Sequence, residues 1–155
     1  MRNAIKKIME QVTDECVITS CGYISREVFR YDRPRNFYNL GAMGSSLSIG
    51  LGLAFQRPDL KVIVIQGDGA TLMSLGSVAL YKKLRLNNLF VHILNNNCYA
   101  STGGQDCIDK VDFICGHDLN MQIVKCGKES KAPRVSLTCR EIKERFRESI
   151  HLKKK

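Results

Sequence analysis

The chain has 155 residues, 44% of them hydrophobic and 25% charged, enough for a single domain with a substantial core. No basic segment leading into an apolar run opens it, and no apolar span reaches membrane length; this argues against secretion and membrane insertion and makes the cytoplasm the expected compartment. The net charge of +9 is dispersed, partly in the closing Lys153-Lys154-Lys155, and no aromatic residues interleave with a basic stripe, which argues against nucleic acid and for an anionic ligand or an acidic partner.

Taken in order, Asn3–Val12 has Ile5, Ile8, Met9 and Val12 at helical spacing and is predicted to be an amphipathic helix. Cys16–Thr19 follows as a strand, and Ser25 is the expected N-cap of a short helix carrying Arg26, Glu27, Val28 and Phe29. Tyr31–Arg35 is a polar loop, and Asn36–Leu40 enters the next strand. The turn Gly41-Ala42-Met43-Gly44 leads to a helix over Leu47–Gln56, capped by Ser45 or Ser46; its Gly50 and Gly52 are poor helix formers and indicate a close neighbour. Arg57-Pro58-Asp59 closes that helix.

The central stretch begins at Lys61. Val62–Ile65 is a continuous β-branched run, as expected of a strand buried on both faces. Gly67-Asp68-Gly69 makes a tight turn, and a helical pattern starts at Ala70 with Leu72, Leu75, Val78, Ala79 and Leu84. A second buried strand, Leu89–Leu94, ends in Asn95-Asn96-Asn97; His92 within it is expected to be a satisfied core histidine. Polar residues therefore gather at two strand ends, where parallel sheets bind ligands. A helix starting beside Gly69 suits a phosphate, and the Asp68 carboxylate and an asparagine oxygen suit Mg²⁺.

Beyond the polar loop Ser101–Gln105, the aspartates at 106, 109 and 112 are expected to be solvated. Cys107–Asn120 links to a strand over Met121–Cys126, and a last helix covers Arg140–Ser149, with Thr138 and Glu141 as a capping box. The seven cysteines form no C-x-x-C pair, so they are read as apolar fillers and free thiols rather than zinc ligands. Alternating strands and helices predict an α/β fold of three layers, a mainly parallel sheet with helices on both faces. The expected organisation is one domain over 1–150 with a basic tail at 151–155.

Gly67-Asp68-Gly69, with twenty-five residues between Gly69 and Asn95-Asn96, resembles the signature of thiamine diphosphate enzymes. Asn36–Gly44, Ser101–Gln105 and Gly22–Glu27 agree, and the chain is similar over roughly residues 1–107 to the cofactor-binding half of sulfopyruvate and phosphonopyruvate decarboxylases. That resemblance implies Asp68, Asn96 and the Cys98 carbonyl as Mg²⁺ ligands, with Asn95 and Asn97 as turn residues. It also implies Gly67, Gly69 and Ala70 around the diphosphate, Met43 as the wedge that keeps the cofactor bent, and the Gly41 carbonyl as acceptor for its aminopyrimidine. Ala42, Gly44 and Tyr99 complete the implied cofactor site. Relatives continue past Gln105 with a helix, a strand and another helix before their final strand; the shortening here puts closure of the sheet, and with it activity, at issue.

The resemblance implies a subunit that holds thiamine diphosphate and Mg²⁺ for a 2-oxoacid decarboxylase acting on a small anionic substrate. The glutamate that activates the cofactor is expected on a partner pyrimidine-binding subunit, because Glu10, Glu15 and Glu27 lie in the other domain type. A hetero-oligomer follows. A carboligase subunit and a truncated, non-catalytic paralogue that docks a partner remain open alternatives, and no GxGxxG follows a strand to favour a dinucleotide site. Asp68→Ala is expected to abolish cofactor-dependent activity and to leave the fold intact.

Overall fold

A computed structural model describes residues 1–107, 111, 115–116, 120–128 and 130–151. The aspartates at 109 and 112, most of the 107–120 link and the lysine tail lie outside the described residues. Five strands form one parallel sheet: β1 (Cys16–Thr19), β2 (Asn36–Tyr38), β3 (Val62–Gly67), β4 (Leu89–Asn95) and, last in the chain, β7 (Met121–Lys125), in the order β2-β1-β3-β4-β7. A separate antiparallel hairpin pairs β5 (Cys98–Tyr99) with β6 (Gln105–Asp106).

The sheet is sandwiched because its strands carry apolar side chains on both faces. Val62, Val64, Val91 and Ile93 pack with α3 (Ser46–Gln56) and α5 (Leu75–Leu84) through Leu47, Leu51, Val78 and Tyr81. On the other face, Val17, Ile65 and Leu94 meet Ile5, Ile8 and Met9 of α1 (Arg2–Met9) and Ile24 and Val28 of α2 (Tyr23–Phe29). Each such side chain contributes about 1.5–3 kcal/mol on burial, against about 0–1 kcal/mol for an exposed ion pair such as Lys6–Glu10. The two apolar layers therefore decide the architecture. At Gly50 an added Cβ would collide with Val64 Cγ2, so this glycine lets α3 lie close on β3.

Three local expectations change. Ser25 does not cap its helix: α2 starts at Tyr23 after Gly22 (φ +76°), and the Ser25 hydroxyl instead donates to the carbonyls of Ser20 and Asn39. The helix predicted from Ala70 is two helices, α4 (Asp68–Leu72) and α5, broken at Met73-Ser74. Thr71 is tied to β3 through Gln66 (2.8 Å), whereas Ser77 of α5 is tied to Ser48 of α3 (2.6 Å), so the two pieces answer to different anchors. Leu75 and Ala79 consequently face outward. His92 is half-buried in β4, and burial pushes its imidazole towards the neutral form, but its Nδ1 has no hydrogen-bond partner among the described residues.

Despite the short link, the sheet is continuous: β7 pairs directly with β4, from Val91↔Met121 to Asn95↔Lys125. The final helix, α6 (Cys139–His151), starts with the predicted capping box, Glu141 N donating to Thr138 Oγ1 (3.2 Å) and Thr138 N to Glu141 Oε2 (2.7 Å). Arg35 and Arg57 donate to its last carbonyls, those of Ser149 (3.2 Å) and Ile150 (3.0 Å), where a helix lacks internal donors.

Arg145 of α6 grips Asp32 with two hydrogen bonds (2.7 and 2.8 Å), and the Tyr38 hydroxyl donates to the same carboxylate (2.6 Å). Burial pushes the Asp32 carboxyl up, but the bonds from Arg145 and Tyr38 outweigh it and hold it below the usual carboxylate range. A lowered folded pKa gives stability that is complete above the unfolded value, about 4, and is lost as pH falls through the folded one. Asp32→Asn is therefore expected to lower the thermal midpoint at pH 7, with the loss shrinking as pH falls through the folded-state value of the wild-type carboxyl. A loss that does not change with pH in thermal melts would show that the charge contributes nothing.

Candidate functional site

The strand order reverses between the parallel neighbours β1 and β3, and a crevice at the carboxyl ends of those strands is where an open α/β sheet binds ligands. A pocket lies there. Its walls include Ser20 and Cys21 after β1, Gly67–Ala70 after β3, and Asn96, Cys98 and Tyr99 after β4.

The Asp68 side chain is buried, 3% exposed, and organises this end of the sheet. Oδ1 accepts from Gly69 N (2.9 Å), while Oδ2 accepts from Asn96 N (3.1 Å) and Asn97 N (2.7 Å). One carboxylate thus fixes both its own turn and the asparagine turn beyond β4. Asn96 Oδ1 accepts from Cys98 N (3.1 Å), and Asn95 Oδ1 from Asn97 N (3.1 Å). Asn97 takes a left-handed φ of +55°, a conformation asparagine tolerates better than most residues.

Tyr99 swings back across the turn: a Cβ at Gly69 would stand 2.5 and 2.8 Å from its ring carbons and 3.3 Å from Met43 Cε. Glycine is the residue that lets the ring and the methionine close over α4. Burial and a hydrogen bond to Cys107 push the Tyr99 phenol up, keeping it neutral. Met43 is carried on a turn with Gly41 at φ +84° and Gly44 at φ +88°, braced by Asn39 Nδ2 donating to Ala42 O and Ser45 Oγ, both 2.6 Å. A Cβ on Gly44 would meet Met73 Cβ at 3.1 Å.

The structure therefore gathers Met43, Gly67, Asp68, Gly69, Ala70, Asn96, Cys98 and Tyr99 around one pocket. Gly41, Ala42 and Gly44 shape the turn that presents Met43 and do not line it. The loop 101–105 is exposed, with only Ser101 on the pocket wall. Sequence reasoning assigned no site role to the β1 end, Ser20, Cys21, Tyr23 and Ile24, although Gly22–Glu27 is among the stretches that carry the resemblance. It also missed Gln66, fully buried, which accepts from Ser46 Oγ (2.9 Å) and donates to Thr71 Oγ1, anchoring α4 to β3 and α3.

A carboxylate offers about four acceptor positions and an amide oxygen two. Three are used on Asp68 and one on Asn96, so each keeps capacity for a hard cation beside the Cys98 backbone. No group of three or more His, Cys, Asp or Glu able to hold a metal occurs among the described residues, as fits a site of one carboxylate completed by neutral oxygens and phosphate. The residues present fit Mg²⁺ with a diphosphate. Cys16, Cys21, Cys98, Cys126 and Cys139 carry free thiols, and no helix among the described residues is long and apolar enough to cross a membrane.

Relatives of this chain carry informative names. The sulfopyruvate decarboxylase subunit beta of Methanococcus maripaludis is 46% identical over 121 residues, 74% of this chain and 65% of that protein. The protein of the same name from Methanocaldococcus jannaschii is 48% identical over 103 residues, 65% of this chain and 54% of that protein. The phosphonopyruvate decarboxylase of Streptomyces viridochromogenes is 39% identical over 104 residues, 66% of this chain and 26% of that protein. The chain thus spans between about half and two thirds of the length of the beta subunits it matches. Residues 18–154 match the family described as thiamine pyrophosphate enzyme, C-terminal TPP binding domain, and the chain belongs to that family.

Proposed function

We propose that this chain is the cofactor-binding component of a thiamine diphosphate-dependent 2-oxoacid decarboxylase of the sulfopyruvate or phosphonopyruvate type, acting with a separate pyrimidine-binding chain. The observation that carries the reading is the convergence of Asp68, Asn96, Cys98 and Tyr99 with Met43 on one pocket at the switch point of the sheet. Asp68, Asn96 and the Cys98 carbonyl would hold Mg²⁺. The first turn of α4, through Gly69 and Ala70, would meet the diphosphate, and Met43, beside that turn, would brace the cofactor. When bound, thiamine diphosphate supplies the electron sink for loss of CO₂ from a 2-oxoacid.

This chain's own residues bind, orient and exclude water. Asp68 and Asn96 would position the cation, while Tyr99 and Met43 form an apolar wall. The activating carboxylate belongs on the partner. Glu27 is buried, but it is committed to Ser130 (2.6 Å) and to Arg30 (3.1 Å). A basic chain also suits a small dianionic substrate.

Native mass spectrometry of the chain purified from its own source, with Mg²⁺ and thiamine diphosphate, tests the proposal. A complex containing a second chain and the cofactor mass, releasing CO₂ from sulfopyruvate or phosphonopyruvate, is the expected result. A complex that joins two substrates instead would establish the carboligase. A chain that binds neither partner nor cofactor would sink the proposal.

A further inference from the structure

A second cavity adjoins the cofactor pocket. It shares Tyr23, Cys98 and Ala100 with that pocket and is completed by Gly103 and Gly104 of the hairpin and by Lys128 and Ser130 beyond β7. Among the described residues, Lys128 is the only charged side chain on its walls, and it makes no ion pair with any of them. It lines this cavity and not the pocket that holds Asp68.

The segment that carries Lys128 is anchored. Ser130 Oγ donates to Glu27 Oε1 (2.6 Å) and accepts from Ala132 N (3.1 Å), and Glu27 is 2% exposed and held by Arg30. A buried carboxylate in α2 thus pins the strap two residues beyond the lysine. Gly103 and Gly104, also on its wall, have φ of +125° and +76°; a Cβ on Gly104 would meet nothing within 4 Å, whereas one on Gly103 would meet the Gln105 side-chain amide at 2.8 Å.

We propose that this cavity is an anion subsite in which Lys128 receives the sulfonate or phosphonate group of a small acid whose reacting end lies in the adjoining pocket. An ammonium is a compact point charge that satisfies a tetrahedral oxyanion without the planar match a guanidinium requires. The assignment to substrate rests on the decarboxylase reading above; the assignment as an anion subsite rests on the cavity. Lys128 is on this account a specificity residue. It selects for the charged tail and takes no part in holding the diphosphate.

The test titrates the full chain, its Lys128→Ala variant and its Lys128→Arg variant with sulfoacetate, an unreactive sulfonate, following backbone amide shifts by NMR. Saturable shifts at Gly103, Gly104 and residue 128 are expected, with affinity about tenfold weaker in Lys128→Ala and largely kept in Lys128→Arg, as for a charge-assisted hydrogen bond. Thiamine diphosphate affinity in the presence of Mg²⁺ is expected to be unchanged by Lys128→Ala. Equal sulfoacetate affinity in wild type and Lys128→Ala, or shifts confined to other basic surfaces, would overturn the subsite. A parallel loss of thiamine diphosphate affinity would overturn it too, by assigning Lys128 to the cofactor's diphosphate. Failure of the decarboxylase reading shows separately: the chain would take sulfoacetate through Lys128, yet no Mg²⁺-dependent cofactor binding would appear even in its complex with the partner chain.

Discussion

Asp68→Asn is expected to weaken Mg²⁺-dependent thiamine diphosphate binding by about a hundredfold or more, since removing a metal ligand should cost at least as much as removing its support. The geometry also explains why Asp68→Ala is the poorer experiment, contrary to the expectation that it leaves the fold untouched. Alanine strands two backbone N–H groups, those of Gly69 and Asn96, beside a position 3% exposed, while Asn97 N keeps the Asn95 Oδ1 acceptor. Each buried donor left without a partner costs about 1–3 kcal/mol, so alanine confounds loss of a ligand with loss of the turn. Asparagine keeps its oxygen towards Asn96 N and Asn97 N and gives up only the bond to Gly69 N. Isothermal titration with the cofactor, beside thermal melts of both variants, separates the effects. Near-wild-type cofactor affinity in Asp68→Asn would remove Asp68 from the metal.

Gly69→Ala is the second large effect. Its Cβ would stand 2.5 and 2.8 Å from two Tyr99 ring carbons, nearer than packed carbons tolerate, and Met43 Cε at 3.3 Å closes the other side. The ring must swing out, carrying the β5–β6 hairpin with it. A cost of about 1–3 kcal/mol is expected, as for other overpacked sites, with cofactor affinity reduced about tenfold as the wall opens. The double variant Gly69→Ala/Tyr99→Ala is expected to recover most of the stability but not the affinity. Urea unfolding of the four proteins gives the coupling energy. Additive losses would mean that the ring moves freely and does not pack on the turn.

The two strands flanking Asp68 were legible because a strand buried on both faces in a parallel sheet is near-continuously apolar, as Val62–Ile65 is throughout and Leu89–Leu94 is apart from His92. The capping box of α6 was legible for a similar reason: both partners lie within one turn of chain. So were Asp68 and the asparagine run, since strand ends in such sheets carry the ligand chemistry. The break between α4 and α5 was not, because Gln66 and Ser48 decide it from other elements. Continuity of the sheet after so short a link was also hidden. It depends on β7 finding β4, a pairing between residues 30 apart, as in Val91↔Met121.

By itself the sequence determined the alternation of strand and helix, the order of the motifs and the identities of the polar groups at the strand ends, because these are local consequences of periodicity, turn chemistry and side-chain type. Tertiary structure alone decided which strand ends are neighbours, and so which residues share a pocket. It brought the β1 end beside Asp68, turned the Asp68 carboxylate into the staple of two turns, and set Lys128 next to Tyr23 and Cys98. The physical reason is that parallel pairing joins segments far apart in the chain through backbone hydrogen bonds that are indifferent to side-chain identity. Sequence pattern names the partners weakly, and packing of the two apolar faces selects among them.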